Sequence, residues 1–134
     1  MKISIAVVGA HLAGQPLHHQ LADRGAELVA STATAASYRL YALPTTPAKP
    51  GLVRVGPGDP EGASIEVEVW SLDAEAFASF VDEIPAPLGI GRITLADGTD
   101  VAGFICEPIA LSGADVVEIT RFGGWRAYLG SPRP

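Results

Sequence analysis

The sequence predicts a small α+β domain: a mixed, mostly antiparallel β-barrel with two or three short helices. Short β-favouring runs recur along the chain, and most are joined by brief turns rich in the 15 glycines and 11 prolines. One amphipathic helix precedes a hairpin, and helical segments are too few for a doubly wound sheet. With 134 residues and 48% apolar composition, we expect residues 1–134 to form a single domain with its own core.

The first half predicts a strand, a glycine loop, a short helix and three further strands. Lys2 to Val8 is a short β-favouring run that Gly9 ends. A helix is predicted from Pro16 to Arg24, because proline suits a first turn and Gly25 supplies a stop. The further strands are expected at 27–30, 37–44 and 51–56.

The second half contains the clearest strand, 65–72. It places Ile65, Val67 and Val69 on one face and Glu66, Glu68 and Trp70 on the other. Asp73 is predicted to cap an amphipathic helix over 73–84. Two strands are expected within 92–108, joined at the tight-turn pair Asp97-Gly98. In the tail, 121–130, a short helix is predicted whose aromatic residues fasten the C-terminus to the body.

Charge and composition exclude several classes of partner. The formal net charge is −6, and the nine Lys and Arg residues are spread thinly, unlike the basic clusters of nucleic-acid-binding proteins. The apolar run before Gly9 is too short for a signal core or a membrane span. The one cysteine, Cys106, cannot form an internal disulfide, which favours a cytoplasmic protein. From the charge and the short apolar run, we expect that it binds neither nucleic acid nor membrane.

The loop after the first strand is the main candidate site. Small residues between a strand and a helix can turn several backbone N–H groups toward one point, and together with the positive end of the helix this predicts a pocket for an anion such as a carboxylate. Gly9 and Gly14 permit a tight approach. The pattern is neither GxGxxG nor GxxxxGK[ST], so it does not predict nucleotide binding. A plain tight turn is the alternative interpretation.

All three histidines, His11, His18 and His19, fall within this segment. His11 lies at the mouth of the predicted anion pocket and is the candidate for proton transfer near neutral pH. For the other two, a solvated helix face is the alternative. Adjacent helical positions point about 100° apart, so the pair cannot ligate one ion, and we expect neither a metal nor another cofactor.

Other reactive residues have plainer interpretations. Cys106 sits in an apolar run and is interpreted as a core thiol. Glu107 could act as a base or an orienting group, or be a solvated edge residue. Tyr38, Arg39 and Tyr41 could offer hydroxyl groups or a cation to a small acid, or simply pack; Tyr41 is retained as a candidate substrate-binding residue.

Several blocks of sequence together resemble one known family. They are VVGAHLAGQPLHHQL, YRLYALP, TPAKPGLVRV, IEVEVWSL, IPAPLGIGRITLADGT, GFICEP and FGGWRAYL. In order and over nearly the whole chain, they resemble the C-terminal domain of allophanate hydrolase. The resemblance implies a gamma-glutamylcyclotransferase-like fold, in which the loop after the first strand holds a substrate carboxylate by its amides.

The resemblance also implies site residues. His11 would be a proton donor or electrostatic anchor, and the backbone donors would be Gly9, Ala10 and Leu12. Secondary contacts would come from His18 and Gln20, and the opposite wall from Pro87, Leu88 and Gly89. Cyclotransferase activity is not expected, because Ile84 or Pro85 stands where that family has its glutamate.

The implied function is decarboxylation of N-carboxycarbamate, the product that an amidase makes from allophanate in urea catabolism. The chain lacks the Lys and Ser-rich signature of such amidases, so we expect either a domain cut from a larger enzyme or a free-standing relative. The alternative is a non-catalytic module that binds a small carboxylate or docks onto a partner amidase or a second copy of itself as a homodimer.

Overall fold

The computed structural model describes residues 1–131, which contain eight strands, three α-helices and two 3-10 helices. The strands are β1 (Lys2–Val7), β2 (Glu27–Ala33), β3 (Tyr38–Leu43), β4 (Lys49–Arg54), β5 (Glu66–Asp73), β6 (Leu88–Thr94), β7 (Asp100–Cys106) and β8 (Val117–Glu118). The helices are α1 (His19–Ala22), α2 (Ala74–Asp82) and α3 (Trp125–Leu129), with 3-10 turns at Pro108–Leu111 and Thr120–Phe122.

The strands form two sheets of mixed, mostly antiparallel character. The five-stranded sheet has the order β2-β5-β1-β7-β6, and the three-stranded sheet has the order β4-β3-β8. β1 lies at the centre of the larger sheet, antiparallel to β5 and parallel to β7. The chain therefore leaves the middle of this sheet at Val8, directly into the glycine loop.

The predicted closed barrel is wrong, because the sheets stay open. The edge strands β2 and β6 approach each other only past their ends, where an isolated bridge joins Thr34 to Leu95. Period-two alternation identifies strands, but it does not specify whether two edges pair along their length. The α+β prediction with mostly antiparallel pairing is confirmed.

The predicted elements are present, with some corrections. α1 covers only the middle of the helix predicted at 16–24; the residues on both sides form turns, and in the turn before it the Leu17 amide donates to Ala10 O at 2.8 Å. The Asp73 carboxylate does not cap α2 but forms an ion pair with Lys2 at 3.0 Å. The Asp97-Gly98 hairpin is confirmed, although β6 begins earlier than expected, at Leu88.

The core follows the predicted alternation. Ile65, Val67 and Val69 are buried, as expected. Glu68, predicted on the opposite face, is also buried, because hydrogen bonds satisfy its carboxylate. In the tail, Trp125 is buried and so attaches α3 to the body.

Candidate functional site

The loop after β1 lies against the start of β4. A Cβ atom added to Gly9 would lie 2.1 Å from Cδ of Pro50, so no side chain fits there. Gly9 is therefore required by this close approach and not by a left-handed backbone, which only Gly14 adopts in the loop (φ 84°). The contact brings the loop beside Lys49, the residue that precedes Pro50.

His11 is buried in an aromatic environment. Its ring stacks on Phe104 at 4.8 Å and meets the edge of Phe80 at 5.2 Å. The Nε2–H group donates to Oε1 of Gln20 at 2.8 Å, which leaves Nδ1 unprotonated in the neutral ring. His18 Nδ1 donates to the His11 carbonyl at 2.9 Å. The imidazole is thus fixed in place by contacts on several sides.

Burial lowers the pKa of His11 from 6.5 to about 4; the hydrogen bond with Gln20 opposes the shift, and the positive charge of Lys49 adds to it. The imidazole is therefore neutral at pH 7 in the free protein. A negatively charged ligand beside it would favour the protonated form and raise this pKa.

Two adjoining hollows lie in front of His11. The smaller, of about 10 Å³, is bounded by Gly9, Ala10 and His11 from the loop. The larger, of about 170 Å³, adds Leu17, Gln20 and the segment that follows α2. Four residues line both hollows: His11, Lys49, Leu88 and Phe104. They form one cavity, which we call the His11 cavity.

Several residues that line the His11 cavity carry hydrogen-bond donors that have no acceptor partner. Within residues 1–131, no acceptor is paired with the amides of Gly9, Ala10 and His11. Lys49 is 8% exposed, and its ammonium has neither a hydrogen bond nor an ion pair with any described residue. Unpaired donors and a buried cation around a small hollow suit a carboxylate, which accepts several hydrogen bonds.

Gln20 and Leu88, two of the predicted substrate-binding residues, also line the cavity. The Leu12 amide instead donates to Gly9 O at 2.9 Å, so it is not a free donor. His18 does not line the cavity; it packs on Trp70 at 4.8 Å and supports the loop from behind.

The remaining candidates lie elsewhere. Tyr41 is on β3 opposite Gly51 and Glu118, outside the lining of the His11 cavity. Pro87 and Gly89 flank Leu88 in the chain but do not line the His11 cavity. Cys106 is half-buried, and burial raises the pKa of its thiol. No group of His, Cys, Asp and Glu side chains in residues 1–131 could hold a metal ion.

The anion pocket was predicted partly from the positive end of a helix after the loop. With four residues, α1 is too short to contribute such an end. The positive charge comes from Lys49, which sequence reasoning missed. A lone lysine between prolines at the start of an apolar strand was the available signal.

An ion pair between the buried Glu68 and the partly exposed Arg126 fastens the loop to the C-terminal helix. Arg126 Nη2 donates to Glu68 Oε2 at 2.9 Å and to Ala13 O at 2.7 Å, while Glu68 Oε1 accepts from the Ala13 amide at 2.8 Å. Burial alone would raise the pKa of Glu68, but the donors from Ala13, Arg126 and Trp70 hold it below its usual value. The carboxylate stays charged and anchors the loop.

The fold and the cavity define a small α+β domain suited to binding a carboxylate at the end of its central strand. The sequence matches the family described as Allophanate hydrolase C-terminal domain over residues 3–130, and the chain belongs to that family. The resemblance seen in the sequence blocks is thus confirmed. Of the helices in residues 1–131, none is both long and apolar enough to cross a membrane.

Three similar proteins illustrate this relationship. Urea amidolyase of Saccharomyces cerevisiae is 45% identical over 128 residues, which is 94% of this chain but 7% of that protein. Kluyveromyces lactis allophanate hydrolase superposes with a TM-score of 0.91 at 44% identity, over 96% of this chain and 21% of that one. A uropathogenic E. coli-specific protein matches at 34% identity and TM-score 0.86 over 99% of both chains.

Proposed function

We propose that this domain decarboxylates N-carboxycarbamate, the product of an amidase acting on allophanate. The observation that carries the proposal is the His11 cavity, where three unpaired amides and the Lys49 ammonium adjoin a histidine. This arrangement supplies donors for a carboxylate and a group able to exchange a proton near it. The similarity to allophanate hydrolase and urea amidolyase supports this substrate.

The first step is binding of the dianion. One carboxylate accepts from the Lys49 ammonium and from the free loop amides. The apolar wall of Phe104 and Leu88 excludes water, which strengthens these charge-assisted bonds. The bound negative charge raises the pKa of His11, so that Nδ1 takes up a proton from solvent.

The second step breaks the bond between nitrogen and one carboxylate carbon. The electron pair of that bond stays on nitrogen, CO₂ departs, and the proton carried by His11 is delivered to the same nitrogen. The products are CO₂ and carbamate. His11 returns to the neutral form that its buried environment favours, ready for another substrate.

An alternative is a non-catalytic module that holds a small carboxylate or docks onto a partner amidase. The neutral state of His11 favours it, because a neutral imidazole can bind a ligand but, unlike the imidazolium, is too weak an acid to protonate the substrate nitrogen. Cytoplasmic location, an amidase partner and a homodimer all remain predictions. Cyclotransferase activity is still not expected, since Glu83, beside the position of that family's glutamate, is paired with Arg24.

The test supplies allophanate and a purified amidase domain to the parent chain and to His11→Ala. CO₂ and ammonia release are followed together, with the amidase in excess so that the second reaction limits. We expect the parent to release CO₂ faster than the spontaneous rate, and the variant to lose about 100-fold of that catalysis. A parent that adds nothing to the spontaneous rate would favour the binding module instead.

A further inference from the structure

The His11 cavity contains one feature that opposes the binding of an anion. Among the described residues that line the larger hollow, Glu83 is the only acidic one. A free carboxylate at this position would repel a negatively charged ligand. It would also compete with the ligand for Lys49, which lines the same hollow.

The Glu83 carboxylate forms an ion pair with Arg24. Arg24 Nη2 pairs with Glu83 Oε2 at 2.5 Å. The guanidinium is fixed by two more hydrogen bonds, from Nε to Ser79 Oγ at 2.8 Å and from Nη1 to Gln20 O at 2.9 Å, and lies over the Phe80 ring. The Arg24 side chain is 18% exposed and the Glu83 side chain 52%. Arg24 is thus the fixed partner, and it holds the more exposed carboxylate.

No ion pair forms between Glu83 and Lys49, although they line the same hollow within residues 1–131. We infer that Arg24 is a positioning residue for ligand binding: it sequesters the Glu83 carboxylate and so keeps the Lys49 ammonium available to an anionic substrate. This inference rests on the proposed function, because it concerns the affinity of the same cavity for a carboxylate.

A purely structural role for the Arg24–Glu83 ion pair predicts a different effect of the double variant. Arg24 follows α1 and Glu83 follows α2, so the ion pair also ties the ends of these two helices together. If the ion pair served only to hold the two helices together, removing both partners would lower the affinity for the ligand at least as much as removing one. If sequestering is its function, neutralising Glu83 should rescue the loss of Arg24, because no free carboxylate then remains.

The experiment measures binding of malonate, a stable dicarboxylate that replaces the substrate nitrogen with carbon, by calorimetry at low ionic strength. Arg24→Gln should weaken binding about fivefold, the upper range for an exposed charge interaction. Glu83→Gln alone should bind as well as the parent or better, and the double variant should recover parental affinity. Arg121→Gln removes the same charge at an exposed position in the 3-10 turn at 120–122 and should leave affinity unchanged.

Three results would overturn the inference. One is parental affinity in Arg24→Gln, and another is a double variant as weak as Arg24→Gln, which indicates a tether. A third is weaker binding in Glu83→Gln, a variant that tests the idea even if Arg24→Gln fails to fold. A parent that does not bind malonate removes the proposed function and this inference together, whereas the first three results leave the proposed function standing.

Discussion

Replacing Lys49 with methionine should separate ligand binding from stability. Methionine keeps an unbranched apolar side chain of similar length, so the packing of the stem at the start of β4 is retained. The Lys49 side chain forms no ion pair or hydrogen bond with any residue in 1–131, so the change leaves no buried partner unsatisfied. We therefore expect the free energy of unfolding to change by less than about 1 kcal/mol.

Binding should respond very differently. If the ammonium donates a charged hydrogen bond to the ligand, its loss costs about 1.5–3 kcal/mol, which is about a 10- to 150-fold weaker Kd for malonate. Calorimetric titration gives the Kd, and urea denaturation gives the stability. Lys2→Met is the matched control, because Lys2, the only other lysine, is exposed and paired with Asp73 at the far end of β1. Equal affinity in Lys49→Met and Lys2→Met would refute the reasoning.

Three further predictions concern stability. The pKa of His11 lies at about 4 in the folded protein, below its unfolded value, so the contribution of the neutral ring to stability is fully present above about pH 6.5. Between about pH 7.5 and 4.5 the parent should therefore lose about 2 kcal/mol more unfolding free energy than His11→Phe. Parallel stability profiles from urea denaturation would contradict this. Arg126→Met leaves the buried Glu68 carboxylate without its cation and should cost about 2 kcal/mol, relieved in part by adding Glu68→Gln; no change in the urea midpoint would count against the anchor. Gly9→Ala should cost about 1–3 kcal/mol, whereas Gly89→Ala, whose Cβ meets nothing within 4 Å, should cost less; thermal denaturation compares them, and equal losses would oppose the packing argument.

The parts of the site that sequence could predict are local in the chain. Gly9, Ala10 and His11 follow the first strand directly, and that strand is recognisable from its own composition. Gln20 belongs to the same segment, and Leu88 came from the family resemblance. The Asp97-Gly98 hairpin was predictable for the same reason, since its signal lies in the turn itself.

The parts that were missed depend on contacts between distant segments. Lys49 reaches the cavity because β4 packs against the loop through the contact between Pro50 and Gly9, and nothing in either segment specifies this pairing. The burial of Glu68 likewise depends on Arg126, which is 58 residues away in the chain. The closed barrel was wrong for a related reason, because strand patterns do not determine how two sheet edges meet.

The central claim is that the amides after β1 and the Lys49 ammonium bind a small carboxylate beside His11. The most direct measurement is a malonate titration followed by ¹⁵N–¹H correlation spectra of the assigned chain. The account predicts saturable downfield shifts of the Gly9, Ala10 and His11 amide protons, together with a rise in the pKa of the His11 ring. Shifts confined to other segments, or saturation without any change at these three amides, would contradict it.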